Sequence, residues 1–319
     1  MTNLHQIAGN SVVGGNGDSR YTDYRKLWDK NPELSVLTPF PLFLDIEATN
    51  ICNLRCPHCG SKANRSKGFI GLSLYKRIID EGSENSLYGC KFHVGLKGEP
   101  LLHRQLPQMI TYAKKKGLID VYLNTNATLL TIEKVKELLD SGLDRISFSV
   151  DGYSKDYYES KRGGAVFEEV FNKILLFYYW RNVYNYKTKI RIQTIAFPDL
   201  NLEVYKRFWS SHADEVCFLD YRDITNRNND LISSWKCPQL WQRMAIQYDG
   251  SVLLCNHDER EYGLIGYLGN SSIRKLWTCS ELNYVREVHR RGNSHFLAAC
   301  NGCSYRTSEI GKRIANSYF

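Results

Sequence analysis

From residue 41 onward, hydrophobic and polar positions follow two alternating rhythms. Short runs of period two, rich in β-branched and aromatic residues, occur at 42–47, 91–96, 120–125, 145–150, 189–196 and 215–221. Segments of helical period lie between them, including 73–81, 106–116, 132–141, 167–179 and 202–212. This alternation predicts βαβ units and a parallel sheet covered by helices. The runs also carry a polar face: Asp45 and Glu47 oppose Leu44 and Ile46, and Ser147 and Ser149 oppose Ile146 and Phe148. A sheet buried on both faces is apolar throughout, so a polar face points to a curved barrel whose lumen holds a ligand. Six such units are too few to close an eight-stranded barrel. The expected fold class is α/β, a partial (β/α)6 TIM-like barrel.

After Tyr221 the alternation stops, and the Asn/Asp-rich stretch 226–230 reads as a linker. Apolar runs at 243–247 and 252–254 flank Tyr248-Asp249-Gly250, an Asp-Gly hairpin signal. A helix is expected over 273–290, followed by a cysteine-rich tail. At the other end, residues 1–18 are rich in Gly, Asn and Ser, and Tyr24 and Trp28 at i, i+4 suggest a short amphipathic helix over 21–29. The expected organisation is an extension over 1–40, a barrel over 41–223, and a small β-hairpin-plus-helix domain over 231–319.

Composition narrows the class. The chain has 319 residues, 43% hydrophobic and 24% charged, which is ordinary folded usage and argues against disorder. No apolar run approaches the ~20 residues needed to span a bilayer, and no signal-peptide core opens the sequence. A cytoplasmic protein without a membrane partner is expected. Lys and Arg exceed Asp and Glu by 42 to 34, a formal charge of +8. That moderately basic surface suits a phosphorylated or carboxylated substrate, or simply solvated outer helices. No basic stripe with interleaved aromatics marks a nucleic-acid groove, so no nucleic-acid partner is expected. Ten cysteines in a chain of this size point to metal binding or redox work rather than a disulfide scaffold.

Directly after the first predicted strand comes Cys52-Asn53-Leu54-Arg55-Cys56-Pro57-His58-Cys59. Three thiolates on one short loop can wrap a single metal centre. Structural zinc would want a fourth ligand at once, and a zinc site using His58 is the competing reading. Three ligands on a four-iron cubane instead leave one iron open to a small molecule. The loop sits at the C-terminal end of a strand, where α/β barrels place their chemistry.

This arrangement resembles the radical S-adenosylmethionine (SAM) superfamily, and three further motifs carry the likeness. Lys97-Gly98-Glu99-Pro100 stands where the family usually has Gly-Gly-Glu-Pro. The resemblance implies that Glu99 receives the SAM ammonium by a charge-assisted hydrogen bond and that Gly98 lets the backbone come close. Asn124-Thr125-Asn126 is similar to the family's Thr-Asn-Gly turn, with Ala127 where the glycine would be. Ser149-Val150-Asp151-Gly152 is similar to its Ser-x-Asp-Gly. Arg162 matches the arginine that contacts the carboxylate end of SAM, and His58 takes the aromatic position near the adenine. The implied cofactor-binding set is His58, Gly98, Glu99, Asn126, Ser149, Asp151 and Arg162. The implied chemistry is reductive cleavage of SAM at a [4Fe–4S] cluster on Cys52, Cys56 and Cys59, giving a 5′-deoxyadenosyl radical that abstracts hydrogen from substrate. A flavodoxin- or ferredoxin-type donor would supply the electron.

Cys237, Cys255, Cys300 and Cys303 form a second set. With the hairpin before Cys255 and the segment Ile265-Gly266-Tyr267-Leu268-Gly269-Asn270, they resemble the SPASM/twitch extension of the same superfamily in its short form. The resemblance implies one auxiliary [4Fe–4S] cluster with four cysteine ligands, against a closed four-cysteine zinc site as the competing reading. Two cores of about +2 each on seven thiolates would bring the net charge to about +5.

The layout is similar to aminocyclitol dehydrogenases such as 2-deoxy-scyllo-inosamine dehydrogenase. It implies a small polar substrate, a sugar, aminosugar or cyclitol, oxidised at a carbinol carbon to a ketone with the auxiliary cluster as electron acceptor. Asp45, Glu47, Asp220, Tyr221 and Arg222 are candidates for holding a polyol, with Glu47 and Arg222 near the chemistry; internal salt bridges are the plainer reading for each. The rival is an epimerase in which a cysteine returns hydrogen to the opposite face. Cys217, in the sixth strand, is the candidate donor, although alternation alone does not settle which way it points. Cys279 reads as a small buried hydrophobe on a helix, and Cys90 lies at the wrong end of its strand. A ribosomal-peptide-modifying SPASM enzyme and a non-catalytic metal-binding protein are the further alternatives; the second has no need of Glu99, Ser149 and Arg162 together.

Overall fold

A computed structural model describes residues 18–59, 66–93, 98–221, 235–258, 261–301, 303 and 305. Six parallel strands lie side by side: β1 (Phe43–Ile46), β2 (Gly89–Phe92), β3 (Asp120–Thr125), β4 (Arg145–Ser149), β5 (Lys189–Ala196) and β6 (Glu215–Asp220). Between them run α2 (Leu72–Glu84), α3 (Leu106–Lys115), α4 (Ile132–Asp140), α5 (Lys155–Lys161), α6 (Phe167–Val183) and α7 (Leu202–Trp209), after an N-terminal α1 (Ser19–Leu34). The helix-period apolar positions Ile78, Ile79, Met109, Ile110, Leu138, Ile174 and Trp209 are buried in one core with Leu44, Phe92, Leu123, Ile146, Phe148 and Ile192 from the strands. Each such side chain contributes about 1.5–3 kcal/mol on burial, which holds the helices on the outer face. This is the partial (β/α)6 barrel that the alternation predicts.

The inner face is polar, and the register shows it. Asp45 pairs with Lys91, Lys91 with Tyr122, and Tyr122 with Arg145. Ser149 pairs with Gln193, and Gln193 with Cys217. Register partners in a parallel sheet share a face, so Cys217 belongs to the lumen side. Two ion pairs close the lower end of that face, Arg145 with Asp120 at 2.8 Å and Arg191 with Glu215 at 2.9 Å. Beneath them α1 buries Tyr21, Tyr24 and Trp28 against Leu42, Phe43 and Ile119. The helix is longer than the 21–29 expected, because Asp18 caps it by accepting the Arg20 N–H.

The last part of the chain forms α8 (Gln239–Gln242), β7 (Arg243–Ile246), β8 (Ser251–Leu253), β9 (Leu264–Tyr267), α9 (Ile273–Trp277) and α10 (Ser280–Arg290). β7 and β8 make the expected hairpin, with Gly250 at φ +85°. β7 also pairs in parallel with β1, so the hairpin extends the barrel sheet to nine strands in the order β6-β5-β4-β3-β2-β1-β7-β8-β9. The single helix expected over 273–290 is two. Cys279 is half-buried rather than a core hydrophobe: it caps α10, its Sγ accepting the Leu282 N–H at 3.4 Å.

Candidate active site

The loop after β1 carries Cys52, Cys56 and Cys59 and is tied at three points. The Leu54 N–H donates to the Cys52 Sγ at 3.4 Å, and the Arg55 N–H donates to the Gly163 carbonyl at 2.9 Å. Asn126 donates from Nδ2 to the Asn53 Oδ1 at 3.1 Å, and Asn53 donates to the Thr128 Oγ1 at 2.8 Å. From the other side the Glu99 N–H donates to the Ile51 carbonyl at 2.8 Å. Gly98, at φ +75°, makes that approach possible: a Cβ there would stand 1.9 Å from the Thr49 carbonyl oxygen.

Glu99 is buried, with three protein donors on its carboxylate: Thr125 Oγ1 at 2.7 Å, the Asn126 N–H at 2.8 Å and the Leu101 N–H at 3.0 Å. Burial pushes its pKa up against those bonds. Two oxygens offer about four lone-pair sites, so one remains for a further donor. Asp151 is fully buried at the end of β4 and lies 2.7 Å from the Arg162 Nε and 3.4 Å from the His58 Nε2. Its other oxygen accepts the Thr194 hydroxyl at 3.1 Å and the Ile195 N–H at 3.0 Å. Burial raises the Asp151 pKa, but Arg162, His58 and the Ile195 N–H outweigh it and leave the carboxyl at about 2. His58 packs edge-on to Phe197 at 5.2 Å. Ser149, also at the end of β4, accepts from the Gln193 Nε2 at 3.1 Å. The structure therefore brings His58, Asp151 and Arg162 into one cluster, and Gly98, Glu99 and Asn126 into another, on either side of the cysteine loop.

Deeper in the lumen, Asp45 is fully buried and held by Lys91 at 3.2 Å, Arg243 at 3.5 Å and the Asn256 Nδ2 at 3.0 Å. It is an internal junction, the plainer of its two readings. Glu47 is also buried and accepts the Tyr248 N–H at 3.2 Å. His93 follows β2 on the face of Lys91, and burial, with Lys91 and Arg162 nearby, lowers its pKa to about 3. Asn124 Oδ1, Ser147 Oγ and Asn256 Oδ1 are buried without a hydrogen-bond partner among the described residues. Lys91, His93, Arg243 and Asn256 were missed by sequence reasoning. For the first two the signal exists, since the alternation that turns Asp45 inward also turns Lys91 and His93. Tyr221 is exposed and packs on Phe197 at 5.6 Å, the ring that His58 also packs against. Arg222 lies outside the described residues, as does the side chain of Asp220. Cys217 is fully buried, and that burial, with Arg191 pulling the other way, pushes its thiol up to about 11.

The thiols themselves fit iron–sulfur ligation. Burial raises Cys52 to about 11, and Glu99, Cys59 and Cys56 add to the rise. Burial also holds Cys237 and Cys255 well above the usual thiol value. Cys300 and Cys303 raise both further, and Cys237 raises Cys255. Thiols that resist ionising beside one another are stabilised as thiolates by a cationic core. Near Cys237 the buried Trp235 Nε1–H has no partner among the described residues, a donor that sulfur would satisfy. Among the described residues no three side chains are grouped as ligands of a single metal ion.

A family model of the Radical SAM superfamily matches residues 46–178, and one of the SPASM iron–sulfur cluster-binding domain matches residues 237–304. A GTP 3′,8-cyclase of Syntrophomonas wolfei is 32% identical over 295 residues, 86% of this chain and 83% of that one. The chain belongs to the radical SAM superfamily. Some other curated relatives are matched over only 30% of their own length. Among solved structures, this radical SAM chain shares its fold with BtrN in complex with AdoMet and 2-DOIA, at TM-score 0.57 and 18% identity over 84% of this chain and 94% of that one. It also resembles Streptococcus suis SuiB bound to precursor peptide SuiA, at TM-score 0.62 and 14% identity over 88% and 74%. The radical SAM and SPASM domains bring SAM, a SAM-binding [4Fe–4S] cluster and an auxiliary [4Fe–4S] cluster, and make the protein a radical SAM enzyme. No helix among the described residues is long and apolar enough to cross a membrane.

Proposed function

We propose that this enzyme oxidises a carbinol carbon of a sugar, aminosugar or cyclitol to a ketone. Cys52, Cys56 and Cys59 hold the SAM-binding cluster, and Cys237, Cys255, Cys300 and Cys303 hold the auxiliary one, the barrel of 41–223 and the unit of 231–319 being its working parts. When bound, SAM at the three-cysteine cluster supplies a 5′-deoxyadenosyl radical, and the four-cysteine cluster supplies an electron acceptor. Glu99 accepts the SAM ammonium at its remaining site, Arg162 holds the carboxylate end, His58 lies by the adenine, and Ser149 and Asn126 complete the cradle. The substrate carbinol loses a hydrogen atom, then a proton and an electron. Glu47 is the proton acceptor on the lumen face, and the neutral His93 imidazole is a hydrogen-bonding partner for the hydroxyl. Asn124, Ser147 and Asn256 present hydrogen-bonding atoms to hydroxyl groups. A flavodoxin- or ferredoxin-type donor in the cytoplasm supplies electrons.

The observation that carries this reading is Asn256. It directly follows Cys255, yet its Nδ2 donates to Asp45 on the barrel's inner face at 3.0 Å. That contact supports the reading because it ties the auxiliary cysteine loop to the barrel's inner face, where an electron acceptor for the substrate would have to lie. A sugar epimerase is the second reading, favoured by the inward register of Cys217 and a thiol held protonated. Anaerobic incubation with SAM and a panel of aminosugars, cyclitols and nucleotide sugars, read by mass spectrometry, separates the two. Loss of two hydrogens with one SAM consumed per turnover supports oxidation. Unchanged mass in ordinary water, with one deuterium gained at an sp3 carbon in heavy water and that gain abolished by Cys217→Ala, replaces it with epimerisation. Turnover of a peptide alone overturns both.

A further inference from the structure

The last turn of α10 places His289, 1% exposed, between two of the four C-terminal cysteines. Its Nδ1 faces the Cys237 N–H at 3.3 Å, and its Nε2 stands 3.4 Å from the Cys300 Sγ. A backbone N–H can only donate, so Nδ1 is the accepting, unprotonated nitrogen. The proton of the neutral ring is then on Nε2. It points at sulfur. Trp235 packs over the ring at 5.6 Å and fixes its orientation.

We propose that His289 donates an N–H···S hydrogen bond to the Cys300 thiolate and thereby raises the reduction potential of the auxiliary cluster. This rests on the reading that these four cysteines hold such a cluster. A donor on a ligating sulfur withdraws electron density and stabilises the more negative, reduced state. The bond is strengthened by its dry surroundings, where little water competes for the sulfur. Because the same ring accepts from the backbone of Cys237, it also sets the spacing of two ligands contributed from opposite ends of the C-terminal segment. His289 is a positioning residue that acts through the cluster rather than on substrate. An acceptor for a substrate's electron works better when it is easier to reduce, so the contact serves the proposed oxidation directly.

The test is a potentiometric titration of the anaerobically reconstituted full chain, followed by electron paramagnetic resonance. A Cys56→Ala background removes the signal of the SAM-binding cluster. His289→Phe is expected to shift the auxiliary midpoint to lower potential with iron content unchanged, and to remove one exchangeable-proton coupling from the hyperfine spectrum. His289→Gln, whose carboxamide can accept at one end and donate at the other, is expected to recover part of the shift. An unchanged potential in His289→Phe with full iron overturns the proposal and leaves the cluster reading standing. Fewer than about seven irons per unmutated chain, with zinc present, defeats the cluster reading and the proposal together. If His289→Phe does not fold, 15N-histidine spectra of the unmutated protein decide: the Nε2–H tautomer supports the bond, and the Nδ1–H tautomer overturns it.

Discussion

Replacing Asp151 by Asn removes one negative charge from a fully buried site while nearly preserving its shape. The folded protein holds this carboxyl at about 2 against an ordinary 3.8. At about 1.4 kcal/mol per pH unit, its ionised form contributes roughly 2 kcal/mol to folding. Because the folded value is depressed, that contribution is complete above about pH 4 and is lost as pH falls through about 2. Asn keeps an acceptor for Thr194 and the Ile195 N–H, but it offers Arg162 only a neutral amide. The Arg162 side chain is 13% exposed, so its charge stays buried without a counter-ion. Breaking a buried pair from one side costs about 3–5 kcal/mol, and removing both partners costs less. The expected order of stability in urea unfolding at pH 7, followed anaerobically by circular dichroism, is wild type, then Asp151→Asn/Arg162→Met, then Asp151→Asn. A loss under about 1 kcal/mol for Asp151→Asn, or strict additivity in the double variant, refutes the coupling between these residues.

Two further outcomes follow from packing. Gly98→Ala must adopt a left-handed conformation costing about 1–2 kcal/mol and must also move the Thr49 carbonyl away, so SAM affinity by calorimetry is expected to fall more than about tenfold while the auxiliary iron is retained. Trp28→Ala empties the contact with Phe43 beneath the barrel, whose rings lie 6.0 Å apart, and is expected to cost about 3–5 kcal/mol of stability without changing SAM affinity.

The barrel was legible because its strands and helices differ in period, and period is local. The polar alternate residues Asp45, Glu47, Ser147 and Ser149 announced the lumen for the same reason. What stayed hidden was contact between distant segments. β7 joins β1 in parallel, Phe43 opposite Arg243, and a parallel pairing leaves no turn signature between its strands. Asn256 and Arg243 therefore could not be read as partners of Asp45. Lys91 and His93 were readable in principle, but β2 has only four residues, too few for its alternation to stand out. The break between α9 and α10 escaped because apolar periodicity runs through it; only the capping geometry of Cys279 reveals it. Which way Cys217 points needed the β5–β6 register, which depends on pairing rather than composition.

The continuity of the sheet has a consequence for substrate class. Among the described lumen residues, Arg145 is matched by Asp120 and Arg191 by Glu215, while Lys91 and Arg243 both pair with Asp45, two residues from Glu47. Each of these four cations thus has a carboxylate partner, Lys91 and Arg243 sharing one, and His93 is held neutral by burial and by Lys91. A nucleoside triphosphate, the substrate named for the cyclase relative, needs uncompensated cations to offset its phosphates. A polyol needs the opposite, a balanced wall with neutral donors and acceptors still unsatisfied. Among the described residues Asn124, Ser147 and Asn256 supply such groups, and buried polar atoms left without partners are costly enough that a ligand satisfying them gains both affinity and discrimination. Because Asn256 is one of them and adjoins Cys255, the proposed hydroxyl-binding groups and the auxiliary cysteine loop meet at one residue. In the proposed oxidation, recognition of a polyhydroxylated substrate and removal of its electron would be coupled by the pairing of β7 with β1, which places the C-terminal segment in the barrel wall.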